Sequence, residues 1–263
     1  MPVVTNAVAW QPLQPGLEWG ELRLAGSGEA WRLRVIFARL DPRRFTLAVH
    51  ANLDTSGMAG PWSVAVAPAA AVLAANAGQF DVSGPWGWVV HRGVEIRPPG
   101  AGALAPAFVV DTAGRARLVP PDSIATLRRA GGVAEAFQSY PMLLTGAGGV
   151  PGQLTDTGRG VDLLHRDSRL ALGVLRDGRI LMALTRFEGL GGALERLPFG
   201  PTVPEMAAIM GAMGCRSAVL LDGGISGQLL VRDDTGRVHE WRAMRRVPLG
   251  FIAIPRTIPA GGR

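Results

Sequence analysis

Residues 202–228 read T-V-P-E-M-A-A-I-M-G-A-M-G-C-R-S-A-V-L-L-D-G-G-I-S-G-Q, which spells a helix, a strand and a loop in that order. Thr202 is an N-cap with Glu205 three residues on, the pattern in which each side chain accepts from the other's backbone N–H. Pro204 is tolerated in the first turn, where its missing N–H has no helical partner to lose. Met206, Ile209, Met210 and Met213 recur at helical spacing as one apolar face, and Gly214 ends the helix. An apolar run then enters Asp222-Gly223-Gly224. Two glycines let the backbone turn sharply and approach a ligand closely. These residues leave two readings open. Asp222 is a carboxylate offered to a ligand at a strand end, or an Asp that bonds its own backbone in a plain turn. Ser226 and Gln228 extend the same rim or simply face water.

Outward from this block, runs rich in Val, Leu, Ile and Phe at 31–38, 45–49, 71–75, 87–91, 107–110, 170–175, 180–185, 218–221 and 227–232 predict strands. Asp177-Gly178 predicts a hairpin of 170–175 with 180–185, and Asp234-Thr235-Gly236 one of 227–232 with 238–242. Gly/Pro clusters at 57–61, 84–87, 97–106, 146–152 and 189–201 predict loops, and a short helix is expected over 121–129. Many strands and few helices, without regular alternation, predict an α+β fold. The expectation is one domain over residues 1–263 built on a mixed, strand-rich β-sheet.

The 263 residues are 48% hydrophobic, which excludes a disordered or fibrous chain. The lone cysteine, Cys215, excludes a disulfide framework and a Cys-rich zinc site. His50, His91, His165 and His239 are scattered, so no metal site is expected. The longest mainly apolar stretch, 64–75, contains a proline and falls well short of the about 20 residues a helical membrane span needs. Residues 1–10 show neither the basic nor the apolar segment of a signal peptide, so a cytoplasmic location is expected. All 27 basic residues are arginine, which reads as a GC-rich coding bias. The formal charge of +6 favours anionic partners in general. Nucleic acid is not expected, because the one basic cluster, Arg242, Arg245 and Arg246 beside Trp241, lacks a wider basic and aromatic track.

Three further segments could carry chemistry. Asn76-Ala-Gly78-Gln79-Phe80 follows an apolar strand and is either a ligand rim or a loop-shaping turn. Gln138-Ser139-Tyr140-Pro141 contains the single tyrosine and reads also as a strand entry with an edge proline. Arg169 opens the strand at 170–175. It is a surface ion-pair partner of a carboxylate such as Asp167, or a cation shaped to hold a phosphate through two parallel hydrogen bonds.

Taken in order, these segments resemble the phosphodiester glycosidase family over about residues 31–254. The family's Asn-Gly-Gly-Phe-Phe is similar to 76–80, its P-x-L strand to Pro141-Met142-Leu143, and its Arg-Thr-Ala-Ile-Gly strand to 169–173. Its Thr-x-x-Glu helix followed by Leu-Asp-Gly-Gly-Gly-Ser resembles Thr202 to Ser226, with Ile225 in place of the third glycine and Gln79 in place of a Phe. The resemblance implies a hydrolase that cleaves a sugar from a small-molecule or oligosaccharide phosphodiester and needs no cofactor. It implies Asp222 as the carboxylate near the anomeric carbon and Arg169 on the phosphate. Glu205 is the second carboxylate, with Glu188 in reserve. Asn76, Gly78, Gln79, Ser139, Gly223, Gly224, Ser226 and Gln228 are implied as substrate-binding. A carbohydrate-binding relative without turnover, and an anion-binding module using the C-terminal arginines, are the other classes these residues allow. Nothing in the sequence sets the oligomeric state.

Overall fold

The runs at 170–175 and 180–185 pair across the Asp177-Gly178 turn, with Leu170 opposite Leu184 and Val174 opposite Ile180. This hairpin lies inside a seven-stranded sheet. Its order is Gln11–Gln14, Leu17–Leu24, Leu33–Leu40, Ile180–Phe187, Leu170–Leu175, Cys215–Leu221, Met142–Leu144. The computed structural model describes residues 7–24, 32–53, 59–156, 161–188 and 197–256. Trp31, residues 57–58 and residues 189–196, which fall in an expected strand and two expected loops, lie outside them.

Both hairpin strands are apolar without a break because the sheet is covered on both faces. Successive strand side chains point to opposite sides. Leu170, Leu172, Met182 and Leu184 enter one apolar cluster, while Ala171, Leu181 and Ala183 enter another on the reverse face. The helix Val203–Ala212 covers that reverse face through Met206 and Met210. Its capping box forms as the sequence predicts: the Glu205 N–H donates to Thr202 Oγ1 at 3.3 Å, and the Thr202 N–H donates to Glu205 Oε2 at 2.9 Å. Gly214, at φ +85°, turns the chain out of the helix into Cys215–Leu221.

Two five-stranded sheets cover the other face. One runs Val238–Trp241, Leu229–Arg232, Leu73–Asn76, Gly250–Pro255, Phe45–His50, and contains the second expected hairpin. The other runs Val94–Arg97, Val89–His91, Val133–Gln138, Ala107–Asp111, Ala116–Val119. Leu229, Val231 and Phe251 from the first join Val89, Phe108 and Phe137 from the second in the cluster under the seven-stranded sheet. The rings of Phe108, Phe137 and Phe251 stand 5.3 to 5.9 Å apart, a spacing at which offset and edge contacts are favourable. The helix Pro121–Ala130 closes the outer side of the second sheet with Ile124.

Strand-rich with few helices is correct, but among the described residues the expected mixed sheet is replaced by three large antiparallel ones and two two-stranded ribbons. Alternation within a run reports which side chains are buried; it carries no information on the direction of a neighbouring strand. A second correction concerns 84–87. Gly84–Trp86 is a strand paired with Gln79–Asp81, and Pro85 sits in a two-stranded ribbon where no second neighbour needs its N–H.

Gly250 shows how tightly the first five-stranded sheet is packed. It pairs with Asn76 on one side and His50 on the other, and an added Cβ would overlap the indole of Trp62. Trp62 is fully buried and donates to His50 Nδ1 at 2.8 Å, so the ring cannot move aside freely. Gly250→Ala is expected to lower stability by about 1–3 kcal/mol, read as a lower urea midpoint with unchanged slope.

Candidate active site

Leu170 lies opposite Leu221, so the chain ends bearing Arg169 and Asp222 leave the seven-stranded sheet side by side. The loop after Asp222 is held from two directions. From the first five-stranded sheet, Asn76 Nδ2 donates to the Asp222 carbonyl at 2.7 Å, while Asn76 Oδ1 accepts from the Gln228 N–H at 3.0 Å. From the strand mouth, the Ser168 carbonyl accepts from the Gly224 N–H at 2.6 Å. A Cβ at 223 would strike that carbonyl, and one at Gly224, where φ is +55°, would stand 2.9 Å from Asp167 Oδ2. Close approach is why both positions are glycine.

The result is a cavity of about 670 Å³. Asp167, Arg169, Asp222 and Gly223, with Gln79, Asp162 and His165, make its polar side, and Trp86, Tyr140 and Leu220 contribute apolar wall. Burial pushes the Asp222 carboxyl above its ordinary range and the Asp167 charge pushes it further, against the Ser226 hydroxyl and Arg245, which favour the ionised form. Burial also raises Asp167, opposed chiefly by Arg169. Asp167 Oδ1 is buried with no hydrogen-bond partner among the described residues, which adds to the cost of its charge. Burial lowers the Arg169 guanidinium, offset by Asp167 and Asp162. Arg169 Nε donates to the Pro201 carbonyl at 3.1 Å and Nη2 to the His165 carbonyl at 2.6 Å. These two bonds fix the plane of the fork, and no carboxylate lies within ion-pair distance of it among the described residues. The cavity thus sets two mutually repelling carboxylates beside a cation in a partly desolvated space.

Of the residues singled out in the sequence, Asp222, Arg169, Gln79 and Gly223 line this cavity. The others stand behind it. Asn76 braces the loop backbone, and Gly78 accepts from the Asp222 N–H at 3.2 Å. Ser139 donates to the Leu220 carbonyl at 2.5 Å, and Gln228 Oε1 accepts from the Val64 N–H at 2.9 Å. Ser226 reaches the Asp222 carboxylate rather than the cavity. The Gly224 N–H is already donated, so among the amides of 222–224 that of Gly223 alone lacks a protein acceptor among the described residues. Glu205, expected as the second carboxylate, lies elsewhere. Both its oxygens accept from Arg166 at 2.8 Å while it caps its helix, and it does not line the cavity. Glu188 pairs with Arg23 at 3.0 Å, also away from it.

A second carboxylate that lines the cavity beside Asp222 is Asp167, which the sequence offered only as a partner of Arg169. Its signal was available: an Asp two residues before an arginine at a strand mouth. Tyr140, from a segment the sequence singled out, lines the cavity, whereas Trp86 was missed because nothing local says which cavity an aromatic side chain faces. Cys215 is buried and its thiol is pushed up to about 12, so it packs as a small apolar group. Among the described residues no three His, Cys, Asp or Glu side chains gather as a metal site requires.

The fold is strand-rich, and its sheets converge on a cavity lined by carboxylates and an arginine. The phosphodiester glycosidase family model matches residues 69–254, and the chain belongs to that family. No curated protein matches it in sequence. The fold is similar to the catalytic domain of zebrafish N-acetylglucosamine-1-phosphodiester alpha-N-acetylglucosaminidase, auto-inhibited by its pro-peptide. That match has a TM-score of 0.69 at 16% identity, over 95% of this chain and 87% of that one. A hypothetical protein from Synechocystis is similar at TM-score 0.62 and 16% identity, over 95% of this chain but 64% of the other's length.

The two kinds of carboxylate predict opposite effects on stability. Burial acts against Glu205, but Arg166 and the Thr202 N–H hold its carboxyl below the usual range. Its stabilisation is therefore present above the unfolded carboxyl range and lost as pH falls through the lowered folded one. Asp222 is raised, so its contribution is full below its unfolded range and lost as pH rises through the raised one. At neutral pH Glu205→Gln is expected to lower stability by about 0.5–2 kcal/mol. Asp222→Asn is expected to raise it by about 0.5–2 kcal/mol, as relief of a strained site does. Thermal melts of both variants across acid to neutral pH check the signs.

Proposed function

We propose that the protein hydrolyses a glycosyl phosphodiester to a free sugar and a phosphate monoester. The observation that supports this best is the meeting of Asp222, Asp167 and Arg169 in one cavity. In this reading Asp222 takes a proton from a water that adds to the anomeric carbon. The electrons of the C1–O bond leave with the phosphate oxygen. A phosphate monoester departs readily with little protonation, so the main demands are stabilising an oxocarbenium-like centre and holding the phosphate. The carboxylate pair supplies the negative field for the first, and Arg169 meets the second. With Nε and Nη2 anchored on backbone carbonyls, its Nη1 donors serve the phosphate oxygens without further ordering cost. The Gly223 N–H adds a donor, and Trp86 and Tyr140 offer faces to a sugar ring.

Asp167 acts through Asp222, as a like charge that raises its basicity. Because two coupled carboxylates titrate as a pair, the acid limb of kcat/KM is expected to move to lower pH in Asp167→Asn. An unmoved limb would leave Asp167 without that role.

The activity itself is tested on a panel of sugar 1-phosphodiesters, beginning with N-acetylglucosamine, the sugar named for the zebrafish enzyme. Turnover by wild type and none by Asp222→Asn is the expected result. Sugar binding without turnover on every member would indicate a binding relative instead. Arg169→Lys is expected to lose about ten- to a hundredfold on phosphodiesters and to spare neutral aryl glycosides of the same sugar, since a point ammonium cannot hold both backbone carbonyls and still donate to the phosphate. An equal loss on both substrates rejects phosphate recognition by Arg169.

A further inference from the structure

The ribbon of Gln79–Asp81 and Gly84–Trp86 is a wall with two sides. Gln79 and Trp86, directly paired in register, line the catalytic cavity. Phe80, Asp81 and Gly84 line a second cavity of about 500 Å³ that also takes in Arg97 and Arg246. Of the C-terminal arginines, which the proposed reaction leaves unused, Arg246 lines this cavity, while Arg242 pairs with Glu240. The Met244 and Arg245 N–H groups both donate to the Ile225 carbonyl, at 2.9 and 3.1 Å, which ties this stretch to the Asp-Gly-Gly loop. Arg245 then lies over the Phe80 ring at 4.5 Å, and its charge is felt at Asp222. Neither Arg245 nor Arg246 makes a side-chain hydrogen bond or ion pair among the described residues, and both are exposed. Asp81 is the carboxylate of this cavity, and it is engaged locally, accepting from the Ser83 N–H at 2.7 Å and the Ser83 hydroxyl at 2.6 Å. Arg97 donates to the Ser83 carbonyl and so lies at the ribbon's turn. Two guanidinium groups in the lining, Arg97 and Arg246, with Arg245 stacked on Phe80 beside them, face one committed carboxylate and make the second cavity cationic, across the ribbon from the first.

We propose that this second cavity is a phosphate subsite, and that the preferred substrates are glycosyl phosphodiesters whose aglycone carries a further phosphate group. The inference rests on the hydrolase reading above for the word substrate. A phosphate monoester brings close to two charges and three acceptor oxygens, enough to engage more than one guanidinium fork at once. Arg245, between the two cavities, spans the bridging part of the aglycone, and Arg246 holds the distal group.

The test needs no turnover. Ethyl phosphate and 1,n-alkanediol bisphosphates of increasing chain length are titrated calorimetrically into wild type, Arg246→Ala and Arg169→Lys. One bisphosphate of the series is expected to bind wild type about ten- to a hundredfold tighter than ethyl phosphate, the worth of one added charge-assisted contact. Arg246→Ala is expected to erase that advantage and keep ethyl phosphate binding. Equal affinities across the series, undetectable ones included, or an advantage that survives Arg246→Ala, would overturn the subsite. Ethyl phosphate binding unchanged in Arg169→Lys would instead count against the phosphate role of Arg169, so the two readings fail separately.

Discussion

Asn76 is fully buried, and a buried primary amide must find partners for both of its ends. It finds them on one loop, donating to the Asp222 carbonyl and accepting from the Gln228 N–H. Those two bonds join the last residue of a strand in one sheet to the Asp222 loop of another. Without them the loop would keep only its backbone bonds, to Gly78, Ser168, Met244 and Arg245. Gly78, Ser168, Ser139 and Gln228 continue the same work on neighbouring backbone groups. Much of what looks like a ligand-binding rim in sequence is therefore a frame of side chain to backbone bonds, and a small set of groups remains for the cavity.

That frame holds an electrostatic arrangement that is unfavourable on its own. Asp167 and Asp222 repel each other in a desolvated space, and the one cation that lines the cavity with them, Arg169, is itself lowered by burial. Glu205 makes the contrast. A carboxylate of the same kind, given a bidentate arginine and a helix N-terminus, is held below its usual range. Glu205 is engaged at both oxygens, whereas the cavity carboxylates have weaker support, Asp222 from the Ser226 hydroxyl and Asp167 from His165 at 3.7 Å, and a carboxylate raised in this way is the one that gains by meeting a substrate or a proton.

The central sheet makes this tension tolerable. It is covered on both faces, by the capped helix on one side and two further sheets on the other, so the strand ends that carry Arg169 and Asp222 have little freedom to relax apart. Rigid strands meeting at a loop cluster are a suitable base for holding groups in a geometry they would not choose.

What was readable from the chain follows the range of the forces involved. The capping box at Thr202 and Glu205, the glycine stop at 214 and the Asp177-Gly178 hairpin are local agreements of residue type with backbone geometry, and each formed as read. Asp222 and Arg169 were visible because a charged residue at the mouth of an apolar strand is a local anomaly, and the family resemblance raised them together. The direction of the sheets, the division into three, and the split between frame and cavity were decided by tertiary pairing. Asn76 and Asp222 are far apart in sequence, and no property of either residue says that the first will bond the backbone of the second. Asp167 against Glu205 shows the same limit: both are acidic residues beside an arginine, and which one stays unsatisfied depends on where that arginine's hydrogen bonds go once the sheets have packed.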